Sequence, residues 1–331
     1  MLLGKYGQLL SWTVRILRDK GKNIAGKADE GLRRQGENRP AYNPPLPLFP
    51  FYPFTPSVGS ASMPGTCGEL VQGTLDGVPF HVSCPVDVYS RAEVRLKPGR
   101  QIEFSPGFSK AGEAVRRTLE ILRRPDLGGI LIINSELPRS KGMASSTADI
   151  AAAIVSTARA LGESMAPLQV AEIALGIEPT DGSVFPAIVL FDHLAGRLLE
   201  SLGPPPHIDI IALDFGGEVD TIVFNQKDRS ILLHRLEPQA RESLGLVRAG
   251  IALGDPVLVG RGATLSARAN QEILYKPQLE AVIALASEIG AVGVCVGHSG
   301  TIIGVLLDRR TADVRAVHQC LRRQLVGLER S

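Results

Sequence analysis

The order of apolar and polar residues along this chain changes rhythm repeatedly between that of strands and that of helices. Residues 80–97 (FHVSCPVDVYSRAEVRLK) read as strands, and residues 128–137 (GGILIINSEL) as a buried strand. Residues 146–162 (STADIAAAIVSTARALG) read as a helix, because Ile150, Ile154, Ala158 and Leu161 return to one face. Further on, 168–177 and 278–290 read as helices, and 208–215 (IDIIALDF) and 221–224 (TIVF) as strands. Residues 292–297 (VGVCVG) and 301–308 (TIIGVLLD) are two more strands, and 311–325 closes the chain as a helix. Strands and helices mix without the strand–helix period of a parallel sheet, which predicts an α+β fold with two sub-domains. The run GPPPH at 203–207 marks their join, giving expected domains 61–205 and 206–331. No internal repeat is visible.

The first sixty residues follow a different pattern. Leu2, Leu3, Tyr6, Leu9, Leu10, Val14 and Leu17 fall near helical spacing among Lys and Arg, and residues 38–56 (NRPAYNPPLPLFPFYPFTP) favour extended chain. Residues 1–60 are therefore expected to be an appendage. Two readings of it stand: a tail, with Met63 as an alternative start, or a basic amphipathic helix that docks on a membrane surface or a protein assembly. Composition sharpens this picture. The 331-residue chain carries +2, with 44% hydrophobic and 21% charged residues, a soluble composition long enough for two cores. Residues 1–40 hold nine basic against four acidic side chains, a surplus of five, which leaves −3 on residues 41–331. So balanced a chain does not point to nucleic acid as its main partner. No apolar run reaches the ~18–20 residues of a membrane span, and the start lacks a small-residue cleavage site. Cys67, Cys84, Cys295 and Cys320 form no CxxC pair, so reduced thiols in a cytoplasmic protein are expected.

The segment with the clearest chemistry runs Leu137-Pro138-Arg139-Ser140-Lys141-Gly142-Met143-Ala144-Ser145-Ser146-Thr147-Ala148-Asp149. A strand feeds a loop of small residues, and the loop feeds a helix with Ser and Thr at its start as expected caps. The first amides of a helix lack intrahelical partners and the dipole adds partial positive charge there, so such a start is an anion cradle. Gly142 and Ala144 permit close approach of a ligand, and the hydroxyls of Ser145, Ser146 and Thr147 suit phosphate oxygens or magnesium. An ordinary capped helix after a turn explains the same residues without a ligand. The segment fits neither the Walker A pattern nor G-x-G-x-x-G.

Pro-x3-Gly-Met-Ala-Ser-Ser-Thr-Ala resembles the second motif of the GHMP kinases, P-x3-G-L-G-S-S-A-A. The two other motifs of that family have counterparts in the expected order. They are Pro64-Gly65-Thr66-Cys67-Gly68-Glu69-Leu70-Val71-Gln72-Gly73 and the turn Gly297-His298-Ser299-Gly300-Thr301. Together with SCPVDVYS, IEPTDGSVF, FDH, PPPHIDIIALD and ATLSARANQ, they are similar to the L-threonine kinase branch of the family over roughly residues 60–325. Met143 and Ala144 depart from the general Leu-Gly but match that branch.

The resemblance implies a two-domain α+β fold, ribosomal-S5-like in its N-terminal part and ferredoxin-like in its C-terminal part. It implies an ATP- and magnesium-dependent kinase that phosphorylates the side-chain hydroxyl of L-threonine and feeds adenosylcobalamin synthesis. A homoserine-like acceptor, or an inactive ATP-binding regulator, are the alternatives. By the same resemblance Pro138 to Ala148 wrap the ATP phosphates, Ser146 ligates magnesium, and Lys141 adds positive charge. Asp181, in Glu178-Pro179-Thr180-Asp181-Gly182, faces the acceptor hydroxyl as base or orienter; as a bare sequence, EPTDG is also good turn chemistry. Glu172 is a weaker candidate for a second magnesium ligand. Glu69, Gln72 and Asp87 fall near the acceptor pocket, with Asp87 or Glu69 for an ammonium and Arg268 for a carboxylate. His298 and Ser299 are expected to line the site.

Overall fold

The structure, a computed structural model, describes residues 57–197, 199–219, 224, 227–325 and 328. The expected N-terminal docking helix lies outside the described residues, as does most of the strand expected at 221–224. The sheet starts at β1 (Val58–Leu75), so Val58–Ser60 belong to the folded body rather than to the appendage expected to end at residue 60. β1 pairs antiparallel with β2 (Val78–Pro98) through Asp76-Gly77. Both turn residues have positive φ (50° and 75°), the geometry an Asp-Gly hairpin turn requires.

Beyond β2 the sheet continues through β3 (Ile102–Phe104) and β4 (Leu127–Ser135) on one side. On the other side of β1 come β8 (Gly293–Val296), β9 (Ile303–Asp308) and β7 (Ile208–Leu213). The resulting order is β3-β4-β2-β1-β8-β9-β7. β5 (Ile188–Phe191) pairs with β2 and with β6 (Leu199–Gly203). A single bridge, Glu69 opposite Val296, joins β1 to β8 and makes one sheet of both halves. The GPPPH run lies between β6 and β7. Val71 and Phe80 from one side of it and Ile210, Val259 and Leu306 from the other share one apolar core.

Seven α-helices are described. α1 (Ser109–Ile121), α2 (Ser145–Ala160) and α3 (Pro167–Leu175) belong to the first half. α4 (Ser230–Leu253), α5 (Pro256–Asn270), α6 (Leu279–Glu288) and α7 (Val314–Gln324) belong to the second. α2 is buried almost all round, which its alanines make possible: Ala151, Ala152 and Ala153 let β1, β2 and α1 approach it closely. α5 starts where Asp255 accepts from the amides of Val257 and Leu258, with Pro256 as its first helical residue. These packings hold the N-terminus of α2 at the end of β1 that bridges to β8.

Candidate active site

The three glycine-rich segments meet at one point. Ser140, Gly142 and Ala144 all have positive φ, so the loop before α2 is wound left-handed. For Ala144 that conformation costs roughly 1–2 kcal/mol. The first segment clamps this loop from one side: Thr66 N donates to Met143 O at 3.1 Å and Gly68 N to Gly142 O at 3.3 Å. The third clamps it from the other: Ile302 N donates to Lys141 O at 3.0 Å. Here glycine is obligatory for space. A Cβ at Gly300 would lie 2.1 Å from Gly142 N, and one at Gly142 would lie 3.0 Å from Gly300 Cα. Backbone therefore packs on backbone, and neither side can yield by turning a side chain.

The expected Ser and Thr caps are absent from this helix end. Its N-cap residue is Ala144, and no side chain caps α2. The first intrahelical bond to form runs from Ala148 N to Ala144 O. The amides of the first turn are thus left for a ligand, which is what an anion cradle needs. They open on a cleft of about 330 Å³, within the range of small-molecule sites. Ser140 and Gly142 through Thr147 line it, flanked by Pro138 and the buried Ala148.

Carboxylates face this cradle. Thr147 Oγ1 donates to Asp181 Oδ2 at 3.2 Å and lies 3.4 Å from Asp181 N, so the first turn of α2 positions Asp181 directly. His81 Nδ1 is 3.7 Å from Asp181 Oδ1. Glu69 is buried on β1, and burial followed by the nearby charge of Asp181 pushes its carboxyl well above the ordinary range. Asp149 accepts from Ser90 Oγ at 2.5 Å, and burial raises its pKa. Glu178 pairs with Lys110, and Arg139 reaches Gly107 O at 3.2 Å while lying over the Phe108 ring.

Beside Asp181 stand three imidazoles. His81 and His193 stack with centroids 3.7 Å apart and planes 6° from parallel; His298 lies 4.3 Å from His81. His298 Nδ1 meets Gln72 Oε1 at 2.5 Å. Burial, and then proximity to His81, hold both His193 and His298 well below the ordinary histidine range, so they are neutral at neutral pH. Ser299 also lines the cleft.

Several expected site residues lie elsewhere. Lys141 turns its ammonium away from the cradle to Asp214 Oδ1 (3.0 Å) and Gly217 O (2.7 Å), and its side chain is absent from the cleft lining. Positive φ on either side of it, at Ser140 and Gly142, sets the direction in which the Lys141 side chain leaves the loop. Arg268 is on α5 and forms a two-point pair with Glu280 at the surface. Glu172 faces a groove between α1 and α3. Asp87 is half-buried on β2 outside the cleft. In place of Glu172 the cleft presents Glu178, and His81, His193, Asp149, Lys110 and Arg139 join it unforeseen. A signal was available for one of these: His193 lies in the FDH stretch already singled out by likeness, while His81 falls two residues before the SCPVDVYS stretch.

Comparison with known proteins decides the family. The family models for the GHMP kinases N terminal domain and the GHMP kinases C terminal region match residues 109–189 and 247–326. An L-threonine kinase of Salmonella typhimurium is 37% identical over 261 residues, covering 78% of this chain and 86% of the relative. This chain is a GHMP kinase. A second relative, an L-threonine kinase of Citrobacter freundii, is 34% identical over 77% of this chain and 88% of its own length. Among solved structures, homoserine kinase from Cytophaga hutchinsonii superposes with a TM-score of 0.59 at 17% identity, covering 84% of this chain and 91% of that one. Phosphomevalonate kinase from Streptococcus pneumoniae gives 0.62 at 12%, covering 81% and 96%. The GHMP kinase fold is thus shared with enzymes of little sequence likeness. The chain is a small-molecule kinase with the family's two-domain α+β architecture. No helix among the described residues is long and apolar enough to cross a membrane.

Proposed function

We propose that this kinase transfers the γ-phosphoryl group of ATP to the side-chain hydroxyl of L-threonine, giving O-phospho-L-threonine and ADP. One observation carries the phosphoryl-transfer reading: the uncapped first turn of α2 opens on the same cleft as Asp181, and Thr147 of that turn holds Asp181. The choice of threonine rests on the likeness to the two L-threonine kinases.

Each part of the cleft then has a task. The amides of Ser145, Ser146 and Thr147 hold the ATP phosphates, with Arg139 and Lys110 adding positive charge along the same wall. Lys141 does not contact the nucleotide; it braces the loop against Asp214. The all-oxygen donors around the cradle suit magnesium, a hard cation, and Ser146 with Glu178 would hold it. Held there, magnesium would neutralise charge on the ATP phosphates. Asp181 accepts the proton of the threonine hydroxyl as that oxygen bonds to the γ-phosphorus. The bond from the γ-phosphorus to the bridging oxygen breaks, and ADP leaves with the electron pair. Glu69 faces the substrate ammonium, whose arrival favours the ionised form of this buried carboxyl. By the branch likeness the product supplies the aminopropanol linker of adenosylcobalamin. The four free thiols suit the reducing cytoplasm.

ADP release over a panel of L-threonine, L-serine, homoserine and sugars tests the reading. Magnesium-dependent ADP with threonine at the highest kcat/KM is expected. Turnover with homoserine or a sugar, and none with threonine, would overturn the acceptor.

A further inference from the structure

The three imidazoles of the cleft take no part in the reaction just described, and several buried polar atoms among them lack partners. His81 is 4% exposed, yet neither of its ring nitrogens has a hydrogen bond. His193 Nδ1 is likewise buried and unpartnered, and so is Glu69 Oε2. Each buried polar atom left unsatisfied costs about 1–3 kcal/mol, so several of them around one point mark a missing ligand. The ligand must accept lone pairs. Burial keeps His193 and His298 neutral, with lone pairs to offer, and Gln72 Oε1 takes the Nδ1–H of His298 and leaves its Nε2 free. An acceptor oriented on the far nitrogen is the usual support of a metal-binding histidine.

We propose that His81, His193 and His298, with a solvent oxygen as the fourth ligand, bind one zinc-class divalent cation in the histidine-lined part of the cleft. One ligand atom from each histidine lies within 4.8 Å of the others, and the same holds for His81, Glu69 and Asp181. Tetrahedral zinc at ~2.0–2.1 Å from nitrogen sets its ligands about 3.3 Å apart, so binding draws the trio together and tilts the stacked pair open. The donor set selects the ion. Three imidazoles favour zinc, cobalt or nickel over magnesium, which prefers the oxygens around Ser146. The charges also suit a cation: Glu69 and Asp181 repel one another across His81, and a dication between them relieves that repulsion. Lys276 and Arg229 near His298 oppose it, which places the ion toward His81. The metal site rests on the three histidines and is independent of the kinase reading.

Titration of the full chain, freed of metal by chelator, with cobalt(II) tests the proposal. Visible d–d absorption of a four-coordinate nitrogen-rich site should saturate at one equivalent, and zinc should abolish it. His193→Gln and His298→Gln should each weaken cobalt binding by about 100-fold or more, and Gln72→Leu by about 10-fold. His234→Gln, at an exposed helical position, should leave binding unchanged. Circular dichroism melts of each variant confirm folding. No saturable band at one equivalent, or a band that persists in folded His193→Gln and His298→Gln, overturns the site. ADP release by the metal-free preparation, given threonine and magnesium before any cobalt is added, separates the two ideas. Turnover without a cobalt band refutes the metal site alone, and a cobalt band without turnover refutes the kinase reading alone.

Discussion

Gly300→Ala probes the contact on which the cradle depends. The new methyl would sit 2.1 Å from Gly142 N and 2.2 Å from the Lys141 carbonyl carbon, whereas ordinary contact begins at 3.4 Å. The two turns must therefore separate by about 1.3 Å. Both obstructing atoms are backbone, so the movement falls on the loop that carries Gly142 to Ser145. Misplacing reacting groups by ~1 Å costs about 100-fold, or roughly 2.7 kcal/mol of transition-state stabilisation. Overpacking adds about 1–3 kcal/mol of destabilisation. Steady-state kinetics should show kcat/KM for ATP down about 100-fold, and a thermal melt should show a Tm lower by several degrees. Gly245→Ala is the control. It lies on the exposed face of α4, where an added Cβ meets nothing within 4 Å, and should leave kinetics unchanged while stabilising the helix by up to ~1 kcal/mol. If Gly300→Ala stays within threefold of the parent kcat/KM for ATP, the backbone contact does not position the cradle.

Asp181→Ala should lower kcat by about 10²–10⁴ with the KM for ATP nearly unchanged; near-normal turnover would mean that no base is needed. Glu178→Gln should raise the magnesium concentration needed for half-maximal rate by about 10-fold, while Glu172→Gln, facing another groove, should not; equal effects would undo the exchange of one glutamate for the other. Lys276 is 5% exposed, and burial lowers its pKa to about 8. Since the unfolded chain keeps that proton up to about 10.4, the folded state gains stability as pH rises from about 8 to 10.4, on the order of 3 kcal/mol in all. Lys276→Met lacks this term, so its stability relative to the parent should fall between pH 7.5 and 10 in denaturant titrations. An unchanging difference would show that burial does not depress the Lys276 pKa, the folded chain keeping this proton to as high a pH as the unfolded one.

What the sequence determined alone is local. The alanine-rich face of α2, the strands at 128–137, 208–215, 292–297 and 301–308, and the loop of small residues before α2 can all be read from spacing, because period and turn chemistry act over a few residues; the first and third glycine-rich segments are picked out by their likeness to family motifs. α1, α4 and α5 were not foreseen. α4 carries Pro238 in its interior, and α5 reads as small and polar residues until β1 and β8 cover one face of it. Direction of side chains across the loop was also beyond local reading. Lys141 sits inside the second motif, yet a left-handed backbone and a carboxylate 73 residues away send it to Asp214. Spacing suggested Glu172 for the metal, but the turn after α3 brings Glu178 to the cradle instead. The histidine trio is the clearest product of tertiary structure. His81, His193 and His298 come from β2, the turn after β5 and the turn after β8, and only the pairing of β5 with β2 and of β8 with β1 gathers them. Burial and convergence are properties of distance in space, which a one-dimensional pattern does not encode.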